Sequence, residues 1–267
     1  MLTALVKRAE AGSSPRTERG AWFRFAPRTL LNVSIGRART VATLSLPLPH
    51  IVRIADRHHV TVNDVVLAVV GGALRRYLAL HDELPAAPLI AAVPVSLREA
   101  GNVEATTLAT MARMGLATDI EDPLARLLAI HAGAHRAKSL TRELRSVIPT
   151  DFPSLGMPWL FGAAAALYGR ARLAERIPPL ANLIVSNVPG PTSPLYLVGA
   201  RLESWWPLSI PVHGFGVNIT VQSYVDSLDF GVVAASNVLP APEAFVGAMR
   251  DAFAELRGLR QRGARPA

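Results

Sequence analysis

Apolar positions along this chain switch several times between a spacing of two and a spacing of three to four. TVATLSLPL (40–48) alternates apolar and polar residues, the pattern of a strand with one buried face, whereas PHIVRIADRH (49–58) sets Ile51, Ile54 and Ala55 on one side of a helix. A long apolar helix is predicted from 61 to about 80. Its start is marked by Thr61 and Asp64, which stand in the relation of a capping box: the threonine hydroxyl covers an orphan amide, and the aspartate at the third helical position favours the positive end of the dipole. LIAAVPVSL (89–97) and TLATMARMGLA (107–117) read as strands, and TDIEDPLARLLAIHAGAHRAK (118–138) as a helix with Asp122 as N-cap and Pro123 at its first position.

Further strands are predicted at NLIVSN (182–187), LYLVGARLES (195–204), GVNITVQSY (216–224) and SLDFGVVAA (227–235), the last two as a hairpin turning at Val225-Asp226. An amphipathic helix over 242–258 closes the pattern. The expected class is α/β, a mixed sheet of at least five strands with flanking helices. VVLAVVGGAL (65–74) and LGMPWLFGAAAALYG (155–169) are the most apolar runs. Both fall short of the ~20 residues a spanning helix needs. The second, Trp159 to Tyr168, is expected to be a buried helix or an interfacial patch.

With 267 residues, half of them hydrophobic, the chain can bury a sizeable core. Its 28 basic and 20 acidic residues leave a net charge of +8, nearly all carried by arginine, since Lys7 and Lys138 are the only lysines. Such a balance suits an anionic membrane or a phosphorylated cofactor, and equally a compositional bias toward arginine and alanine. Nucleic acid is not expected as a partner, because no helix-turn-helix, zinc-ligand or aromatic-basic motif is present. The absence of cysteine excludes disulfides, thiol nucleophiles and thiolate metal sites, and a cytoplasmic setting is expected. Gly214 and Gly216 follow no strand-to-helix junction with a third glycine, so a dinucleotide fold is not supported. His131 and His135 share one helix face at i and i+4, but no third ligand is spaced to join them; they are expected on a solvated face, with no metal bound.

The stretch RHHVTVNDVV (57–66) raises the acyltransferase motif HHxxxDG. The aspartate of that motif stands four places after the second histidine and precedes a glycine. Here Asn63 occupies that place, Asp64 comes one later and glycine is absent, so His58 and His59 are expected to be an exposed helix end and turn. TVNDVVLAVVGGALRRYL instead resembles the ND segment of the bacterial wax ester synthase/acyl-CoA:diacylglycerol acyltransferase family, in its C-terminal half. The resemblance extends in order through APRTLLNVSIGRART, AAVPVSLRE, Gly101-Asn102, LATDIEDPLARLLAIH, NLIVSNVPGPTSPLYLVGARLESWWPLS and GFGVNITVQSYVDSLDFGVV, from about residue 26 to 256. It departs from the family at Val225-Asp226, where an Asn-Gly-like turn is usual, and at Ala235 and Ala241, where aspartates are expected.

The resemblance implies the C-terminal half of a chloramphenicol acetyltransferase-like two-domain fold, and the transfer of a fatty acyl group from acyl-CoA to diacylglycerol or a long-chain alcohol. Residues 1–28 are then a flexible tail or linker remnant, 29–258 the C-terminal acyltransferase domain and 259–267 a basic tail. The catalytic histidine is expected in an HHxxxDG-bearing half, in cis or in trans, so no catalytic residue is assigned within these residues. Asn63, Asp64, Ser186 and Asn187 are the substrate-cleft candidates. Each also has a local reading: Asn63 as a helix residue bonded nearby, Asp64 as a cap, Ser186 and Asn187 as turn formers before Pro189. Acyl-CoA is expected as co-substrate and no cofactor as resident. A peripheral position at an anionic membrane or lipid droplet follows from the same resemblance. The alternative is a non-catalytic lipid- or acyl-binding module.

Overall fold

A computed structural model describes residues 25–96, 109–144 and 171–259. The alternation near the start folds as β1 (Arg39–Pro47), in which Leu44 and Leu46 are buried and Ser45 between them is exposed. Helix α1 (Leu48–His58) follows without a loop, with Ile51, Ile54 and Ala55 buried as their spacing requires. It ends where His59 enters the left-handed region at φ 55° and returns its N–H to the carbonyls of Ala55 and Asp56. Helix α2 (Val62–Ala79) is apolar on every side, and every residue from Asp64 to Leu74 is buried. A helix of that kind belongs inside a layer. It packs against α3 (Pro123–Leu144) and α5 (Pro242–Gly258), and one continuous core joins these helices to the inward side chains of the sheet. Gly71 and Gly72 permit the contact. A Cβ on Gly71 would stand 2.5 Å from the Leu116 carbonyl oxygen, and one on Gly72 2.9 Å from the Ala252 methyl.

The remaining elements are β2 (Ile90–Ser96), β3 (Ala109–Gly115), the single turn α4 (Leu173–Arg176), β4 (Leu183–Val188), β5 (Tyr196–Leu197), β6 (Ala200–Arg201), β7 (Val217–Tyr224) and β8 (Ser227–Ala235). Six strands form one mixed sheet in the order β1-β8-β7-β4-β2-β3. Its centre is parallel, β2 to β4 and β4 to β7, and each edge is closed by an antiparallel partner. The expected hairpin is present: Tyr224 pairs with Ser227 across Val225-Asp226, and Val225 takes φ 50°. A β-branched residue there carries the strain that an asparagine or glycine avoids. Asp122 caps α3 as expected, its Oδ2 accepting the Ala125 N–H at 2.8 Å.

One predicted strand is not a strand. LYLVGARLES folds into β5 and β6, two residues each, around a turn in which Val198 (φ 49°) and Gly199 (φ 83°) both have positive φ, and the chain then runs to residue 212 without joining the large sheet. Side chains from the face of the sheet away from the helices hold this segment. Asp229, fully buried on β8, accepts the Trp205 N–H at 2.8 Å. Asn218 on β7 donates to the Ile210 carbonyl at 3.1 Å, and the Tyr224 hydroxyl donates to the Leu202 carbonyl at 2.8 Å while accepting the Leu195 N–H at 2.9 Å. The polar face of β7 and β8 therefore receives backbone, where the apolar face receives helices. Residues 195–212 form a strap laid across it.

A second polar network ties the start of the described chain to the middle of the sheet. Buried Asn182 donates to the Pro27 carbonyl and to Asn32 Oδ1 and accepts the Ile90 N–H, while Asn32 donates to the carbonyls of Ala181 and Gly214. Buried amides that satisfy one another and the backbone in this way fix register across segments far apart in sequence. The apolar stretch from Trp159 to Tyr168 lies outside the described residues, as do 1–24 of the expected tail 1–28 and 260–267 of the expected tail 259–267. Among the described residues no helix is long and apolar enough to cross a membrane.

Candidate functional site

The carboxyl end of β4, a central parallel strand, meets the amino end of α2 through Asn187 and Asn63. In open α/β sheets this is where ligands find a crevice, because loops diverge there and helix N–H groups point outward. Thr61 accepts the Asp64 N–H at 3.2 Å, and Asp64 Oδ2 accepts the Thr61 N–H at 2.8 Å, so both halves of the capping box are made. The box fixes where the half-buried Asn63 stands. Its Oδ1 lies 3.5 Å from Nδ2 of Asn187, which is carried at the end of β4. Two of the four cleft candidates, 124 residues apart in sequence, thus come together.

Ser186 does not join them. Successive strand residues point to opposite faces, and Ser186, paired in register with Thr220, faces away from the helices. Asp64 is 1% exposed, and its side chain serves the cap and one further partner, His131.

That partner corrects the expected solvated helix face. His131 is partly buried, and its Nδ1 lies 2.7 Å from Asp64 Oδ2. Its ring also meets that of exposed His135 edge-to-face at a centroid distance of 4.6 Å. The i, i+4 spacing was visible in the sequence, but the carboxylate that answers it lies 67 residues away on another helix. Among the described residues no group of three or more potential ligands is placed to hold a metal ion.

His59 is exposed at the end of α1, but His58 is half-buried, with its Nε2 enclosed and without a hydrogen-bond partner. Burial, reinforced by the neighbouring charges of Arg57 and His59, pushes the His58 imidazole below its ordinary range. On the far side of the helical layer, buried Arg126 donates to the carbonyls of Ile120 and Glu121 and lies 3.7 Å from Glu255, which also pairs with Arg76. Burial lowers the Arg126 pKa and Glu255 opposes that shift. This cluster clamps α2, α3 and α5 together.

A mixed sheet with helices on one face and two amides meeting at the end of a central strand defines an α/β domain with a polar crevice candidate at its strand ends. Residues 108–257 match the WS/DGAT C-terminal domain, and residues 2–66 match the wax ester synthase/diacylglycerol acyltransferase catalytic domain. The chain belongs to this family. It is 39% identical over 215 residues to the O-acyltransferase WSD of Acinetobacter baylyi, a match covering 80% of this chain and 45% of that protein. It also aligns with the wax ester synthase/diacylglycerol acyltransferase from Marinobacter aquaeolei VT8 at TM-score 0.68 and 34% identity, covering 91% of this chain and 55% of that one. A trichothecene 15-O-acetyltransferase from Fusarium sporotrichioides shares the fold alone, at TM-score 0.55 and 14% identity over 90% of this chain and 52% of its own. The chain spans about half the length of the curated relatives it matches.

Proposed function

We propose that this chain is the C-terminal portion of an O-acyltransferase that moves a fatty acyl group from acyl-CoA to diacylglycerol or a long-chain alcohol. The observation that carries this reading is the meeting of Asn63 and Asn187 at the carboxyl end of β4, beside the amino end of α2, in a member of this family. In the reaction a histidine takes the proton of the acceptor hydroxyl, and the oxygen attacks the thioester carbonyl. The tetrahedral intermediate then collapses to the ester, expelling the CoA sulfur, which takes up the proton. No HHxxxDG sequence occurs in these 267 residues, so the base comes from a segment outside them, in cis or in trans. The two amides would orient the acceptor and carbonyl at the cleft. The arginine-rich surface would favour the phosphates of CoA and a peripheral position at an anionic lipid surface.

The test is ester formation from labelled palmitoyl-CoA with hexadecanol or diacylglycerol, using the purified chain alone and combined with the HHxxxDG-bearing half of the Marinobacter relative. The chain alone is expected to be inactive and the combination active. Asn63→Ala and Asn187→Ala should each lower turnover of the combination about tenfold or more without lowering the melting temperature, as expected for groups that position substrate. Ester formation by the chain alone, lost in His131→Ala, would overturn the reading and make the Asp64–His131 pair the source of the base.

A further inference from the structure

His131 supplies a bond that the start of α2 does not need in order to close its cap. The capping box is complete with Thr61 and Asp64 alone, each accepting the other's N–H. Apolar packing already joins α3 to the core through Leu127, Ile130 and Ala134, buried at helical spacing on one face. His131 stands at the rim of that face, partly buried, and its Nδ1 comes within 2.7 Å of the same Asp64 oxygen that accepts the Thr61 N–H. An ionised carboxylate accepts and does not donate, so the Nδ1 proton belongs to the imidazole. The ring contributes one N–H at this point, brought in from another helix, and it pins the first turn of α2 to α3.

We propose that His131 is a positioning residue for the candidate cleft, acting through Asp64 on the side chain of Asn63. The proposal deepens the acyltransferase reading and rests on it for the reaction that the amides serve. Asn63 lies inside the capping box, between Thr61 and Asp64, so its backbone moves with theirs. Its Oδ1 lies 3.5 Å from Asn187 Nδ2, at the outer limit of a hydrogen bond. A contact at that limit is made or lost by a displacement of a few tenths of an ångström, so whatever fixes the turn decides whether the two amides act as a pair. Asn187 is held on its side by the pairing of β4 with β7, where it stands opposite Val221. Asn63 is the adjustable member, because helix ends fray. His131 ties that end down from α3, and it does so without touching either amide's partner in the cleft.

The experiment reads the side-chain amide resonances of Asn63 and Asn187 by heteronuclear NMR of the 267-residue chain, assigned from Asn63→Ala and Asn187→Ala. His131→Ala should move both signals. His131→Asn should return them, because the asparagine Nδ2 is bonded to Cγ as the imidazole Nδ1 is. His131→Gln, whose donor stands one bond farther out, should leave them displaced, and it serves in place of alanine if that variant does not fold. Leu128→Ala, on the exposed face of α3, is the control and should leave both signals where they are. In combination with the HHxxxDG-bearing half of the Marinobacter relative, His131→Ala should lower kcat about threefold or more with KM for palmitoyl-CoA unchanged, and His131→Asn should recover it. Signals that stay in place in both His131→Ala and His131→Gln, or that move equally in Leu128→Ala, would overturn the proposal, as would an unchanged kcat in an active combination. Ester formation by the chain alone that His131→Asn does not recover would make His131 the base and overturn it as well. If no combination forms ester while the signals move as expected, the acyltransferase reading fails and the hold of His131 on Asn63 stands.

Discussion

Asp64 shows how one side chain can join two helices. Its carboxylate closes the cap of α2 and receives His131 from α3, at the same oxygen. Replacing it by alanine removes the cap and strands two donors, at an expected cost of about 2–4 kcal/mol in urea unfolding. Asp64→Asn keeps an acceptor and should lose less. Two variants as stable as wild type would mean that the cap and the His131 contact carry no weight. The cap was legible in the sequence because both partners lie within one turn. His131 was not, since a histidine–carboxylate contact across 67 residues leaves no local trace.

His58 carries the opposite electrostatic cost. Burial and the charges of Arg57 and His59 lower its folded pKa below the ordinary histidine value of about 6.5, so as the pH falls through that value the unfolded chain takes up a proton that the folded chain resists. Stability from this group is thus complete above about 6.5 and declines as the pH falls toward the lowered folded value. His58→Gln should flatten the fall in melting temperature between about pH 7.5 and 5.5. An equally steep fall in the variant would show that other groups account for it.

At the scale of elements, helices and strands with a single repeating period were legible and the strap was not. α1 buries the three residues its spacing selected, and α2 is buried on all sides because it is apolar on all sides. LYLVGARLES alternates well enough to suggest a strand, yet it folds back on itself as β5 and β6, and its link to the large sheet is a side chain, the Tyr224 hydroxyl that bonds the Leu195 N–H and the Leu202 carbonyl. Alternation shows that a segment has two faces, but not what bonds its backbone. The strap's fit is tight at Gly231, where an added Cβ would stand 1.8 Å from the Pro207 carbonyl oxygen. Gly231→Ala must push the strap outward, at a cost of about 1–3 kcal/mol. Faster amide exchange over residues 205–210 than in wild type is the expected sign. Gly199→Ala, with nothing within 4 Å of its Cβ but φ 83°, should strain only the hairpin tip and leave that exchange unchanged.

For the whole molecule, the sequence made the α/β class, the terminal hairpin and the family legible, while strand order and the split of the candidate site lay beyond it. β4 enters between β2 and β7, and nothing in NLIVSN says which strands it separates. The same alternation that makes β4 a strand sends Ser186 and Asn187 to opposite faces, which is why two adjacent candidates cannot serve one site. The pairing of β1 with β8 has a further consequence, for the time course of synthesis. Arg39 lies opposite Ala235, so the first strand of the sheet to leave the ribosome is hydrogen-bonded to the last. At about 5–20 residues per second, β1 waits roughly ten seconds or more for the strand that closes its edge. Throughout that interval its row of open amides and carbonyls is available to a neighbouring nascent chain. Closure then requires the loss of a long loop's entropy before any contact rewards it, so the joining of β1 to β8 is expected to be slow.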